Sequence, residues 1–290
     1  MSLPASRLNP RSFSRRAMLG GVGACGLAAS LLLASLLLGT TPVQAEPPTA
    51  SPKEPLTLAV AAASDLKFAM DEVVTAFKKS RPDIAITVTY GSSGNFFGQL
   101  SNKAPFDMFF SADVSYPKQL GELGLVVEGS QFLYAEGHVV LWVPKSSPLD
   151  VEKRGIKALE DPSVRKIAIA NPKTAPYGRA AEAALKSLGE YEAVKDRLVF
   201  GDNIAQTAQF VQSGSADVGI LALSLAVAPA LQAEGRYWPI PSSAHPRLEQ
   251  AGVTLKWVKS PEAAQAFKGF FTGPEGRTIL KRYGFVLPGE

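Results

Sequence analysis

The sequence predicts an α/β protein built on mostly parallel sheets covered on both faces. Three observations carry that prediction. Short apolar runs alternate with segments of helical periodicity along most of the chain. Several of those runs end in Gly, Ser, Asn or Pro loops that lead straight into a helix. After Pro47, Pro48, Pro52 and Pro55, no repeat or low-complexity stretch breaks the alternation. Strands alternating with helices make βαβ units, which build parallel sheets.

Taken in order, Leu56 to Ala62 is a short apolar run, the pattern of a buried strand. Leu66, Ala69, Met70, Val73 and Phe77 recur at helical spacing, so a helix begins near Ser64. Ile84, Ile86, Val88 and Tyr90 alternate as a strand does, and Gly91 to Asn95 interrupts them before a helix through Phe97 and Leu100. Phe106 to Ser111 and Val139 to Val143 are further strands, the second stopped by Pro144. The pattern then repeats. Lys166 to Ala170 reads as a strand, Asn171 to Gly178 as a loop with two prolines, and Arg179 to Leu188 as a helix. Leu198 to Phe200 is a strand, Gly201 to Asn203 a turn, Ile204 to Gln212 a helix, and Val218 to Leu223 a last apolar run.

The first 45 residues read as an export signal. They hold Arg7, Arg11, Arg15 and Arg16 and no acidic residue, then an uncharged stretch from Ala17 to Leu38. Val43-Gln44-Ala45 is a small-residue cleavage pattern, so the mature chain is expected to begin near Glu46, the alternative being an uncleaved anchor, since the stretch is long enough to cross a bilayer. Ser14 to Leu19 also resembles a twin-arginine signal, which leaves the export route open. The chain's formal charge of +4 equals the four arginines of this leader, so the mature part is neutral. A nucleic-acid partner would need a basic patch in the folded part, and none is expected. The one cysteine, Cys25, also lies in the leader. The expected location is the periplasm.

Open α/β sheets bind ligands outside the carboxyl ends of their strands. The loops there are Ala63-Ser64-Asp65, Gly91 to Asn95, Asn171 to Gly178, and Gly201 to Ile204. Each brings free N–H groups at a helix start, where the dipole also favours an anion. Ser64, Ser92, Ser93 and Tyr177 add neutral hydroxyl donors. Each residue also has a plainer reading. Ser64 and Asn203 are ordinary N-caps, the glycines an ordinary turn, and Tyr177 a packing aromatic. Only the set of loops is specific.

Four signatures make the chain resemble the periplasmic molybdate-binding proteins of ABC importers, within the class II periplasmic binding fold. They are Ala61-Ala62-Ala63-Ser64, Tyr90-Gly91-Ser92-Ser93-Gly94, Pro105 to Asp113, and Gly273-Pro274-Glu275-Gly276 with Lys281 to Phe285. The resemblance runs from about Leu56 to Leu287. It implies a two-lobed molecule, with lobe 1 at 56–136 and 243–290, lobe 2 at 137–242, and a two-segment hinge near 134–139 and 239–253. It further implies that Ser64 and Ser93 each give a hydroxyl and an N–H to molybdate or tungstate. Tyr177 and Ile204 would add N–H groups from the second lobe.

One departure is Ala222, where many relatives carry a tyrosine whose phenol reaches the ligand. Pro176-Tyr177-Gly178 resembles a second branch of the family, in which Tyr177 would take over that role. Another is Asp65, which either favours its helix N-terminus or faces the cleft, where it would repel a dianion or accept a proton from a protonated anion. The implied protein is a monomer that needs no cofactor and serves an ABC transporter permease. Sulfate or phosphate remains an alternative ligand.

An enzyme is not expected. His138 and His245 are the only histidines, no Gly-x-Ser-x-Gly elbow is present, and no cluster has metal-ligand spacing. A cytoplasmic ligand-sensing regulator would share the fold, but the leader argues against it.

Overall fold

A computed structural model describes residues 56–290; the expected signal peptide lies outside the described residues. The chain begins with β1 (Leu56–Ala63), α1 (Lys67–Ser80), β2 (Ile84–Gly91), α2 (Ser93–Ser101), β3 (Met108–Ser111), α3 (Ser115–Glu122) and β4 (Phe132–Gly137). It continues with β5 (Val139–Pro144), α4 (Val151–Arg154), β6 (Ile167–Ala170), α5 (Pro176–Ser187) and α6 (Tyr191–Val194). Then come β7 (Leu198–Gly201), α7 (Ile204–Gln212), β8 (Val218–Ala222), α8 (Leu223–Ala226), α9 (Pro229–Gln232) and β9 (Gly235–Pro239). β10 (Leu248–Thr254), α10 (Pro261–Thr272) and α11 (Pro274–Arg282) complete it.

The strands form two five-stranded sheets, ordered β2-β1-β3-β10-β4 and β7-β6-β8-β5-β9. Within each, four strands run one way. The exception is β10 in the first sheet and β5 in the second, each antiparallel to both its neighbours. Those are the two strands that open a lobe after the chain has crossed from the other. The crossings pass through His138, between β4 and β5, and through residues 240–247, which include His245.

Burial explains the strands. β1, β3, β5, β6 and β8 are buried along most or all of their length, as central strands covered on both faces must be. α1 buries Ala69, Met70, Val73 and Phe77, the stripe its spacing predicts. Beneath the first sheet Phe77, Phe110, Phe267 and Phe271 pack edge to face or tilted, with Phe110 and Phe271 centred 4.7 Å apart. The second lobe has its own core around Trp142, Ile169 and Leu221.

Several element boundaries differ from the sequence prediction, most of them by a single residue. Residues 176–178 are the first turn of α5 and not loop, because Pro176 occupies the first helical position, where its missing N–H costs nothing. Ala175 before it is extended (φ −108°, ψ 124°), as a residue preceding proline prefers. β3 starts at Met108 and not at Phe106, and β8 ends at Ala222, with Leu223 opening α8. Strands β4, β9 and β10 and helices α3, α10 and α11 were not marked by the apolar pattern.

Candidate functional site

The carboxyl ends of β1, β2, β6 and β7 face one another across the two lobes, and a small cavity, about 10 Å³ to the centre of a water-sized sphere, lies between them. Its wall is Ala63 to Asp65, Gly91 to Ser93, Ala112, Ala175 to Tyr177, and Ile204. Pockets for drug-sized ligands run to roughly 300–1,000 Å³, so this closed cleft has no room for a ligand of that size. No lysine, arginine or histidine lines it.

All four candidate loops therefore meet in one place. Ser64 opens the 3₁₀ turn Ser64–Leu66, Ser93 is the first residue of α2, Tyr177 the second of α5, and Ile204 the first of α7. Groups in a first turn have no intrahelical acceptor, so these N–H groups and the dipoles behind them converge on the cavity.

The hydroxyls differ in what they already do. Ser93 is fully buried, and its Oγ accepts the Ala112 N–H at 3.0 Å. That contact uses one lone pair and leaves the hydroxyl hydrogen free for another acceptor. Ser92 caps α2, its Oγ accepting from the Asn95 N–H at 3.4 Å. Ser64 does not cap its own turn. Its hydroxyl crosses the cleft and donates to Asn203 Oδ1 at 3.0 Å. Asn203 in turn caps α7, accepting from the N–H groups of Ala205 and Gln206 at 3.0 Å each.

Tyr177 is where the structure adds most. Its phenol donates to Asp65 Oδ2 at 3.0 Å and accepts from Gln250 Nε2 at 3.2 Å. The phenol hydrogen is thus committed to Asp65, and what Tyr177 offers the cavity freely is its N–H. Gly137, at the first crossing, makes room for this ring, since a Cβ there would lie 2.1 Å from the phenol oxygen. Gln250 Nε2 also donates to Asp65 Oδ2 at 2.6 Å, and Ser224 donates to the Asp65 carbonyl at 2.7 Å. Gln250, Ser224 and Gly137 were missed in the sequence, where nothing marks them. Ala222 is buried in β8, paired with Val139.

Asp65 is 1% exposed, and burial pushes its carboxyl up to about 6, against the partly offsetting bonds from Gln250 and Tyr177. The Tyr177 phenol is pushed well above its ordinary value, first by burial and then by the Asp65 charge.

The lobes stand closed on one another. Besides the Ser64, Tyr177 and Ser224 bonds, the Gly94 N–H donates to the Thr174 carbonyl at 2.9 Å. At the rim, Arg179 pairs with Asp113 and donates to the Tyr116 hydroxyl. Among the described residues, no group of three or more His, Cys, Asp or Glu could hold a metal ion.

Known proteins resemble this chain in sequence and fold. The chain is 38% identical over 228 residues to the molybdate-binding protein ModA of Azotobacter vinelandii, covering 79% of this chain and 89% of that one. It is 38% identical over 201 residues to the molybdate-binding protein ModA of Rhodobacter capsulatus, covering 69% and 77%. The solved structure of the A. vinelandii periplasmic molybdate-binding protein superposes with a TM-score of 0.75 at 33% identity, over 80% of this chain and 99% of that one. A family model for bacterial extracellular solute-binding proteins matches residues 58–286. With two lobes closed over a small cavity and a match along nearly all the described residues, the chain belongs to the bacterial extracellular solute-binding protein family.

Proposed function

We propose that the chain binds molybdate or tungstate in the cleft and delivers it, outside the cytoplasm, to the permease of an ABC transporter. It captures and releases, and carries out no chemistry. The observation that carries this reading is a small cavity between the lobes, ringed by four helix starts and lined by no cationic side chain. Hydrogen bonds and dipoles hold a compact dianion there and let go when the lobes part. The relatives named as molybdate-binding proteins support the choice of ligand.

In this site Ser93 gives its hydroxyl and N–H, Ser64 joins it from the same lobe, and the N–H groups of Tyr177 and Ile204 close from the other. Ser92 and Asn203 hold the helix starts in place. A second reading, an oxyanion that still carries a hydrogen such as phosphate, draws on Asp65 in the cavity wall, which can accept that hydrogen.

Calorimetric titration with molybdate, tungstate, sulfate and phosphate tests both. A ligand that binds only the folded form adds about 2.7 kcal/mol at a hundredfold excess over Kd, a rise of about 5–11 °C in melting temperature. Molybdate and tungstate are expected to give that rise and chloride none. Four flat melting curves would remove the oxyanion assignment.

Closure is testable without touching a ligand donor. A Cβ at Gly94 would stand 2.6 Å from the Thr174 carbonyl oxygen and 3.0 Å from its Cα, a backbone contact from the opposite lobe. Gly94→Ala is expected to wedge the lobes apart and weaken molybdate binding by about tenfold or more, because affinity scales with the closed population. Unchanged affinity in titration would mean that the liganded form does not use this contact.

A further inference from the structure

Asp65 sits in the cavity wall with a charge that nothing neutralises. Its Oδ2 takes bonds from the Tyr177 hydroxyl and the Gln250 amide, both neutral. Its Oδ1 is buried and makes no hydrogen bond of good geometry among the described residues, although the main-chain N–H groups of Asp65 and Leu66 also favour the carboxylate. The groups packed against it come from four elements: Tyr177 of α5, Tyr134 of β4, Gln250 of β10 and Ser224 of α8. None is a cation, and no salt bridge to Asp65 exists among the described residues. A buried carboxyl so placed resists ionisation, and a second negative charge beside it makes ionisation harder still.

We propose that Asp65 is the proton partner of the anion site: capture of a fully deprotonated oxyanion brings one proton from solvent onto Asp65, whose acid form then donates through Oδ1 to a ligand oxygen. This rests on the oxyanion reading given above. The proton comes from bulk water or buffer and returns there on release, so no other group changes its state. With the lobes closed, burial holds the carboxyl at about 6, so on its own it is ionised at neutral pH, and a dianion beside it favours the acid form. The anion raises the carboxyl's pKa, so binding weakens as pH rises above about 6, by up to tenfold per unit until the filled site also ionises.

The arrangement also sorts ligands. An anion without hydrogen arrives with one solvent proton. An anion bearing its own hydrogen donates it to the ionised Asp65 and takes up none.

The test is calorimetry of the mature protein with molybdate at about pH 8, in buffers of differing ionisation heat. The dependence of observed heat on buffer heat gives the protons taken up, expected to be near one. Phosphate, where it binds, is expected to give near zero. Asp65→Asn replaces the acid by an amide with permanent N–H donors. It should take up no proton, and its molybdate Kd should stay nearly flat between about pH 6.5 and 8.5, where the parent loses up to about a hundredfold. The variant also subtracts whatever other groups contribute to the pH profile. Should it fail to fold, the buffer dependence of the parent decides alone. Molybdate binding without proton uptake overturns the role of Asp65 and leaves the oxyanion site standing. No heat with any of the four oxyanions overturns both.

Discussion

Ser93→Ala is expected to weaken molybdate binding by about ten- to more than a hundredfold. Ser93 is the donor best prepared for an anion: its Oγ is pinned by the Ala112 N–H, and its hydrogen has no acceptor among the described residues. Loss of one hydrogen bond to a charged acceptor costs about 1.5–3 kcal/mol, which converts to that range of Kd. The same change strands the Ala112 N–H, so a modest fall in melting temperature of the empty protein should accompany it. Ile204→Val serves as the contrast. Ile204 offers only its main chain, which valine keeps, so affinity should hardly move. Titrating the two variants beside the parent decides the matter. A silent Ser93→Ala with a damaging Ile204→Val would place the ligand somewhere else.

How much of this could be read in the chain depends on how local each feature is. α7 was legible to the residue, because Asn203 is a cap with apolar periodicity straight after it. β1, β5 and β8 were legible because a central strand of a covered sheet is apolar throughout. β9 was not, since it lies at a sheet edge and stays half exposed along its length. β10 carries Gly252 and a register shift at Gln250, which blur its alternation. The start of α5 was read as loop because Pro, Tyr and Gly side by side signal a turn, whereas a proline at the first helical position begins a helix equally well.

The site divides in the same way. The hydroxyl-bearing loops were visible because strand ends and helix starts are local patterns. Two features were not. The Asp65 network joins residues 185 positions apart, and one of them, Gln250, stands on a strand the pattern did not reveal. Ser64 looked like the cap of its own helix, and only the folded chain carries its hydroxyl across the cleft to Asn203.

Asp65→Asn is expected to make the empty protein more stable at neutral pH, by about 2–3 kcal/mol relative to the difference at pH 4. The sign follows from the direction of the shift. The folded carboxyl lies at about 6 and its unperturbed value is 3.8, so folding favours the protonated form. The stabilisation from Asp65 is complete below 3.8, falls as the pH rises through about 6, and is absent above it. Asparagine keeps an oxygen to accept from Tyr177 and Gln250 and never carries the charge, so it escapes that loss. For a folded part of this size, 2–3 kcal/mol corresponds to about 5–10 °C in melting temperature. Ligand-free melts of parent and variant between about pH 4 and 7.5 give the answer, because titrations common to both proteins cancel in the difference. The variant's advantage should open as the pH rises from 4 and level off above 6. Two melting profiles that stay parallel across that range would mean the buried carboxyl is already compensated in the empty protein. The charge at the anion site would then carry no cost in stability.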